Sequence, residues 1–124
     1  MFELSKQFRF DAAHTLDRSI QTDSSRRIHG HSYRAEVTVR GRPDPATGMI
    51  VDLGLLELSM AEARDALDHR FLDEVDDLGP ATMENLSRWI WERLKPVVAN
   101  LAKVCVYRDS SGEACHYWGE DMAA

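Results

Sequence analysis

The chain has 124 residues and a net charge of −6, with 44% hydrophobic and 29% charged residues. This composition is typical of a single globular domain over residues 1–124, long enough to bury a core without disulfide bonds. The acidic balance argues against a nucleic-acid or membrane binder. No run approaches the ~18 apolar residues of a membrane span, and the N-terminus alternates instead of carrying the apolar core of a signal peptide. We therefore expect a cytoplasmic protein.

The first part of the chain predicts antiparallel strands. Hydrophobic and polar residues alternate over residues 2–10 and again over 31–41, which places one set of side chains on each face of a sheet. Residues 11–28 are polar and are predicted to be irregular. The segment RPDPATG is typical of a turn, and MIVD (49–52) is expected to resume the sheet as the return arm of a hairpin.

The second part predicts two helices and then two strands. Asp52 can cap a helix in which apolar residues recur at helical spacing: Leu53, Leu56, Met60, Ala63 and Leu67. Thr82 can cap a second helix with the apolar series Leu86, Ile90, Leu94 and Val97, whose last turn Pro96 would strain. Residues 102–109 and 114–118 are predicted strands around a turn at SSGE. The order predicts an α+β fold: a four-stranded antiparallel sheet with two helices on one face.

A group of arginines stands out against the acidic background of the chain. Its members are Arg26, Arg27, Arg34, Arg40 and Arg42. The group either faces an anionic substrate or forms the solvated face of a strand.

Three histidines form a candidate metal site. In an extended segment His29 and His31 project to the same sheet face, and His14 follows the strand that pairs with it. Three neutral imidazoles are a catalytic zinc set that leaves a fourth position open for water or substrate. A closed structural site, with Cys115 or His116 as fourth ligand, and polar loop histidines without a metal are the alternatives.

Two further motifs are candidates for proton transfer and for ligand binding. Asp68 can orient the imidazole of His69 as in an acid/base dyad, although a histidine at a helix C-terminus is also favoured by the helix dipole. TMEN, residues 82–85, is the capped start of a helix, with Glu84 favourable in its first turn.

Together these motifs resemble one protein family. FRFDAAHTL, HGHSYRAEVTVRG, TGMIVDLGLL, LDHRFLD and TMENLSRWIWERL occur in the order and spacing of the 6-pyruvoyltetrahydropterin synthase family. They are most similar to its bacterial 6-carboxytetrahydropterin synthase branch. The resemblance covers nearly the whole chain and rests on several motifs jointly.

The resemblance implies an architecture and an assembly. The expected architecture is the tunnelling fold, in which the sheets of three subunits form a barrel-like trimer. Two such trimers stack into a homo-hexamer, and the active sites lie at subunit interfaces.

The resemblance also implies a chemistry. Zn²⁺ is expected on His14, His29 and His31, where it acts as a Lewis acid on 7,8-dihydroneopterin triphosphate. The triphosphate leaves, and in the bacterial branch a two-carbon fragment is also cleaved off. Asp68 and His69 match the proton-relay pair of the family.

The substrate-pocket positions of the family also have counterparts in this chain. They are matched by Thr82 and Glu84.

The chain departs from the family where the catalytic cysteine is expected. The bacterial branch has this cysteine four residues before HGH, where this chain has Ser25, and the animal enzymes have it six residues before, where this chain has Asp23. A thiol with a pKa near ~8.5 readily becomes a thiolate, whereas a serine acts only when another base deprotonates it. Three interpretations stay open: His69 activates Ser25, Asp23 is the base, or Ser25 is an engineered replacement.

A second departure lies in the predicted third-to-fourth strand hairpin. The family usually has a glutamate after VY that accepts hydrogen bonds from the pterin ring, and here Arg108 follows VY. Arginine only donates, so it suits a carboxylate, phosphate or carbonyl instead. Asp109 is expected on the other sheet face, and Glu113 could take the accepting role only if the turn reorganises.

Three functional hypotheses follow from these departures. The first is a zinc-dependent lyase on the pterin triphosphate or a close relative. The second is a diverged paralogue with a different small substrate, cleaved in an aldolase-like reaction or held as an anion by Arg108. The third is a non-catalytic zinc or pterin binder. Queuosine, biopterin and folate pathways all remain open on the sequence.

Overall fold

The computed structural model describes residues 1–119 and has one antiparallel sheet in this range. Its four strands are β1 (Phe2–His14), β2 (His29–Gly41), β3 (Leu101–Arg108) and β4 (Glu113–Tyr117), hydrogen-bonded in the order β1-β2-β3-β4. Consecutive strands are therefore neighbours, and β1 and β4 are the two edges. The predicted α+β class and the four-stranded antiparallel sheet are confirmed.

Three α-helices accompany the sheet: α1 (Thr22–Arg26), α2 (Leu53–Leu67) and α3 (Met83–Leu94). Asp52 caps α2 by accepting from the Gly54 N–H at 2.8 Å, and Thr82 caps α3 by accepting from the Asn85 N–H at 3.1 Å. Both predicted caps are confirmed, because each side-chain oxygen satisfies a backbone donor that the first helical turn leaves free. No helix in residues 1–119 is long and apolar enough to cross a membrane.

The core lies between one face of the sheet and the helices α2 and α3. The aromatic rings of Phe10 and Tyr33 stack across β1 and β2 with their centroids 4.9 Å apart. The apolar stripes of both helices meet this face, and their buried members are Leu56, Met60, Ala63, Leu67, Leu86, Trp89, Ile90 and Leu94. The same sheet face continues beyond the core into the histidines.

Two sequence expectations for strands and loops are wrong. Residues 49–52 do not form a strand, because β2 already has β1 on one side and β3 on the other, so no edge is free for a return arm. The Ile50 carbonyl instead accepts from the Asn100 side chain at 2.9 Å. Residues 11–28 are not wholly irregular, since β1 continues to His14 and α1 lies within them.

The apolar series of α3 also ends earlier than expected. The helix stops at Leu94, ahead of Pro96, so Val97 is 49% exposed and Trp89 takes the buried place instead. In α2 the first predicted member, Leu53, is half exposed because the helix begins there, outside the core.

Three of the five arginines noted in the sequence are paired with carboxylates, each with a different one. Arg34 makes two hydrogen bonds to Asp109, at 2.9 and 3.0 Å, on the sheet face opposite the helices. Arg40 pairs with Glu3, and Arg26 pairs with Asp17. The structure thus favours the solvated-face interpretation for this group.

Candidate metal centre and active site

The three predicted metal ligands lie together where β1 ends and β2 begins. His14 and His29 are cross-strand partners, and His31 follows two residues later on the same face. The ring centroids are 4.5, 4.9 and 5.0 Å apart, and one nitrogen from each ring lies within 4.8 Å of the others. The hairpin-like approach of the two strands therefore produces the convergence that the sequence spacing predicts.

Backbone carbonyls fix the ring nitrogens of two of these histidines. His14 Nδ1 lies 2.8 Å from the Ala81 carbonyl oxygen, and His29 Nδ1 lies 2.7 Å from that of Arg27. A carbonyl only accepts, so each Nδ1 is protonated and each Nε2 keeps its lone pair in the neutral ring. His14 is 1% exposed, and its Nε2 is buried with no hydrogen-bond partner.

The surroundings of His14 and His31 favour the neutral form of these two imidazoles. Burial lowers the pKa of His14 below its ordinary value, more than the Ala81 carbonyl raises it. Burial, followed by the Arg108 guanidinium, lowers the pKa of His31 to about 4. Neutral imidazole is the form that binds a metal ion, so these lowered pKa values favour the metal-binding form of His14 and His31.

Arg108 and Glu113 reach the same region from the β3–β4 hairpin. They are cross-strand partners, and Arg108 Nη2 lies 2.5 Å from Glu113 Oε1. Gly112, at φ 69°, adopts the left-handed conformation that lets the short turn Asp109–Ser111 close and set this register. A cavity of about 260 Å³ is lined by both side chains together with His14, Tyr33, Thr82 and Glu84.

The structure places both carboxylates that the sequence raised for this hairpin. Glu113 lines the cavity in the turn as it stands, with its carboxylate paired to Arg108. Asp109 points to the opposite face, where it pairs with Arg34, as expected. Arg108 is 15% exposed, donates from Nη1 to His31 Nε2 at 3.2 Å, and leaves its Nε buried without a partner.

Ser25 lies beside the histidines, whereas Asp23 does not. Ser25 is 2% exposed, and with His29, His31 and Arg108 it lines a smaller cavity of about 190 Å³. Its hydroxyl donates to the Thr22 carbonyl at 3.0 Å, within α1. Asp23 is exposed on the same short helix and is absent from the lining of both cavities.

The Asp68–His69 dyad is held against the end of β1. His69 Nδ1 lies 3.0 Å from Asp68 Oδ2, which also receives Arg64 Nη2 at 3.1 Å. The Asp11 N–H donates to Asp68 Oδ1 at 2.9 Å, and this bond, with His69 and Arg64, holds the pKa of Asp68 below its usual range.

His69 itself is in an uncommon backbone conformation. Its φ is 59°, a left-handed value that costs energy for a non-glycine residue, and its N–H donates to the Asp11 carbonyl at 2.7 Å. The side chain is 80% exposed, and it lines an open depression together with Gly30, His31 and Ser32. Strain of this kind is frequent at functional groups, so it favours a functional role for His69 over that of a helix terminus alone.

Three residues around the site were missed in the sequence. Tyr33 lies on the same sheet face as His29 and His31, so the period of two could have identified it. Burial raises the pKa of Tyr33 to about 12. Arg64 lies one helical turn before Asp68, so helical spacing could also have identified it. Arg18 lines both small cavities from an irregular segment that carried no signal.

Comparisons with known proteins agree on one family. A profile described as 6-pyruvoyl tetrahydropterin synthase matches residues 3–120. A human 6-pyruvoyl tetrahydrobiopterin synthase is 35% identical, over 95% of this chain and 92% of its own length. A 6-carboxy-5,6,7,8-tetrahydropterin synthase of Synechocystis is 32% identical, over 77% and 76% respectively. The structure of Caenorhabditis elegans 6-pyruvoyl tetrahydropterin synthase superposes with a TM-score of 0.82 at 29% identity, covering 96% of each chain.

Proposed function

The chain belongs to the 6-pyruvoyl tetrahydropterin synthase family, and from this premise we propose that it is a zinc-dependent lyase acting on 7,8-dihydroneopterin triphosphate or a close relative. At the coarser level, the relatives support an enzyme with a tetrahydropterin synthase-like function. One observation carries the finer proposal: three imidazoles converge on one point, and one of them presents a buried nitrogen without a partner.

The donor set fits zinc. His14 and His29 each use Nδ1 on a backbone carbonyl, which leaves Nε2 for the metal, the outer-shell arrangement expected of metal-ligating histidine. Three imidazoles with an open position suit a catalytic zinc rather than a calcium or magnesium ion, which prefer oxygen ligands. A buried, unpartnered nitrogen costs free energy, and a bound cation would remove that cost. Zinc bound here would supply a Lewis acid toward substrate oxygens.

His69 and Asp68 are proposed to carry the proton transfers. The Asp68 carboxylate accepts from His69 Nδ1, which leaves Nε2 of the exposed ring as the group that takes or returns a proton. The position of Ser25 favours it over Asp23 as the residue beside the metal ligands. Its hydroxyl proton is already donated to the Thr22 carbonyl, so we assign Ser25 a positioning role and place the basic function on His69.

Substrate binding is proposed in the cavity between the histidines and the start of α3. Glu113 offers the carboxylate that can accept from the ring N–H and amino groups of a pterin, the role for which Arg108 is unsuited. Thr82 and Glu84 line the same cavity and are assigned to the substrate pocket. We assign Arg108 to bind an anionic or carbonyl group of the ligand.

We further propose a cytoplasmic homo-hexamer, a dimer of trimers, with its sites at subunit interfaces. The dyad supports this proposal, because a proton-transfer group that is 80% exposed in one chain becomes shielded from bulk water only when another surface covers it. The sheet edges β1 and β4 support it as well, since an exposed edge strand is a template for pairing with another chain.

The test is a mass-spectrometric assay of zinc-loaded protein with 7,8-dihydroneopterin triphosphate. Wild-type protein should release triphosphate, and His69→Ala should lose most of this turnover. The turnover of Ser25→Cys should be little higher than that of wild type if Arg108 also alters pterin anchoring. Absence of turnover by the zinc-loaded wild type would contradict the proposal. A large gain from Ser25→Cys alone would show that the cysteine position, and not a diverged pocket, limits the activity.

The buried Arg108 favours a second candidate, a diverged paralogue whose small substrate carries an anionic group. A guanidinium that is 15% exposed beside the metal ligands is a ready partner for a carboxylate or phosphate. Comparison of turnover on dephosphorylated dihydroneopterin and on the triphosphate separates the two candidates. A ligand that binds without turnover on either substrate would instead favour a non-catalytic binder.

A further inference from the structure

Arg108 is hydrogen-bonded to one of the two ring nitrogens of His31. Its Nη1 donates to His31 Nε2 at 3.2 Å, so this nitrogen must be the unprotonated acceptor of the ring. His14 and His29, by contrast, have their hydrogen-bonded nitrogen at Nδ1. His31 is therefore the one member of the trio whose Nε2 lone pair is already used by the protein.

We infer that Arg108 competes with the metal ion for Nε2 of His31, so that this guanidinium sets the metal affinity of the site. The inference rests on the proposed three-histidine metal centre and goes beyond it. A nitrogen lone pair cannot accept an N–H and bind a metal ion together, and a buried guanidinium also repels a nearby cation. Metal binding through this nitrogen thus requires Arg108 to withdraw.

Glu113 is the group toward which Arg108 can withdraw. Its carboxylate lies 2.5 Å from Nη2, on the arm of the guanidinium that does not reach His31. Arg108 Nε is buried without a partner, so the planar fork is only partly satisfied in its position against His31. Once the bond to His31 is lost, the Glu113 pair can therefore hold the guanidinium away from that ring.

Zinc affinity, measured by competition with a chromogenic chelator, tests this inference. Arg108→Met should bind zinc about tenfold more tightly than wild type, because a charge-assisted hydrogen bond no longer has to be broken. Glu113→Gln should bind more weakly, because the guanidinium loses the partner that draws it from His31. Arg18→Met is the control for charge alone: it lines the same two cavities, donates to Gln21 rather than to a histidine, and should change affinity less than about twofold.

A second readout reports the contact directly. In metal-free protein with ¹⁵N-labelled histidine, the His31 Nε2 resonance should move on Arg108→Met and stay in place on Arg18→Met. A resonance that does not move in Arg108→Met would overturn the inference.

The affinity outcomes separate this inference from the proposed metal centre. If wild type binds zinc but Arg108→Met binds it no more tightly, Arg108 does not compete with the metal ion. The same holds if Arg18→Met gains as much affinity as Arg108→Met. Either result leaves the proposed metal centre unaffected. Unchanged or tighter binding in Glu113→Gln also overturns it. If neither wild type nor Arg108→Met binds one zinc per chain, the metal centre and the inference both fail.

Discussion

At the scale of single residues, His14 is the side chain on which the metal centre most depends, because it is buried and its Nε2 has no partner in the protein. His14→Ala removes one of three ligands and should lower zinc affinity by at least about tenfold, which metal analysis after dialysis against a chelator measures. His116→Ala is the matched control, since His116 is exposed and faces Cys105 on the opposite side of the sheet. Equal zinc loss in both variants would contradict the assignment.

The pKa of Asp68 makes a second residue-scale prediction. The folded-state pKa lies below the ordinary value of 3.8, chiefly because the Asp11 N–H donates to the carboxylate. The unfolded chain therefore takes up this proton first as the pH falls, so the stabilisation is present above about pH 4 and is lost below it. Wild type should be more stable than Asp68→Asn at pH 7, and the difference should narrow as the pH falls below about 4.

Urea unfolding of both proteins between neutral and acidic pH measures this difference. Asp76→Asn, at an exposed carboxyl group that has none of these contacts, is the control and should follow wild type. A difference between wild type and Asp68→Asn that stays constant into the acid range would contradict the assignment of the effect to an ionised carboxylate.

At the scale of elements, the start of α3 has two tasks, because Thr82 caps the helix and lines the cavity. Thr82→Ala removes the acceptor of the Asn85 N–H and should lower the free energy of unfolding by about 1 kcal/mol. Thr82→Ser keeps the hydroxyl and should retain most of that stability. Chemical denaturation of the two variants gives the comparison, and equal losses in both would show that the methyl group rather than the cap matters.

The elements that alternation or caps determine were predictable from the sequence. The alternation over residues 2–10 and 31–41 reflects a sheet with one buried face, and Asp52 and Thr82 mark helix starts by a local hydrogen bond. The prediction of a strand at residues 49–52 was wrong because β3 pairs with the second side of β2. That pairing joins segments that are distant in the sequence. A local hydrophobic pattern does not show which distant segment pairs with a given strand.

The three histidines of the site were predictable for the same reason, a local pattern in the sequence. The spacing of His29 and His31 fixes a shared face, and pairing with the end of β1 brings His14 to it, so the trio follows from the period of a strand. The place of Glu113 in the cavity could not be predicted, because it depends on the left-handed Gly112 and on the resulting cross-strand pair with Arg108. Arg18 lies in an irregular segment whose path no sequence period describes.

At the scale of the whole molecule, the described chain leaves apolar side chains and sheet edges uncovered. Large hydrophobic residues are exposed on β1, directly before His29 and directly after β4, namely Phe2, Ile28 and Trp118. Single exposed residues of this kind are ordinary, but here they accompany two open edges and the exposed ring of His69. One assembly could cover all three features, which is why the oligomeric state bears on the chemistry as well as on solubility.

The assembly prediction is tested by measuring the mass of the particle and the turnover of the enzyme together. Light scattering after size exclusion should give about 85 kDa, for six copies of a 14.1 kDa chain. Ile28 is 71% exposed and immediately precedes His29, so Ile28→Glu should shift the protein to smaller species and lower turnover together, because a charge at a buried contact is costly. Ile28→Leu should preserve both. A wild-type monomer at micromolar concentration, or Ile28→Glu that stays assembled while losing activity, would contradict a shared interface and site.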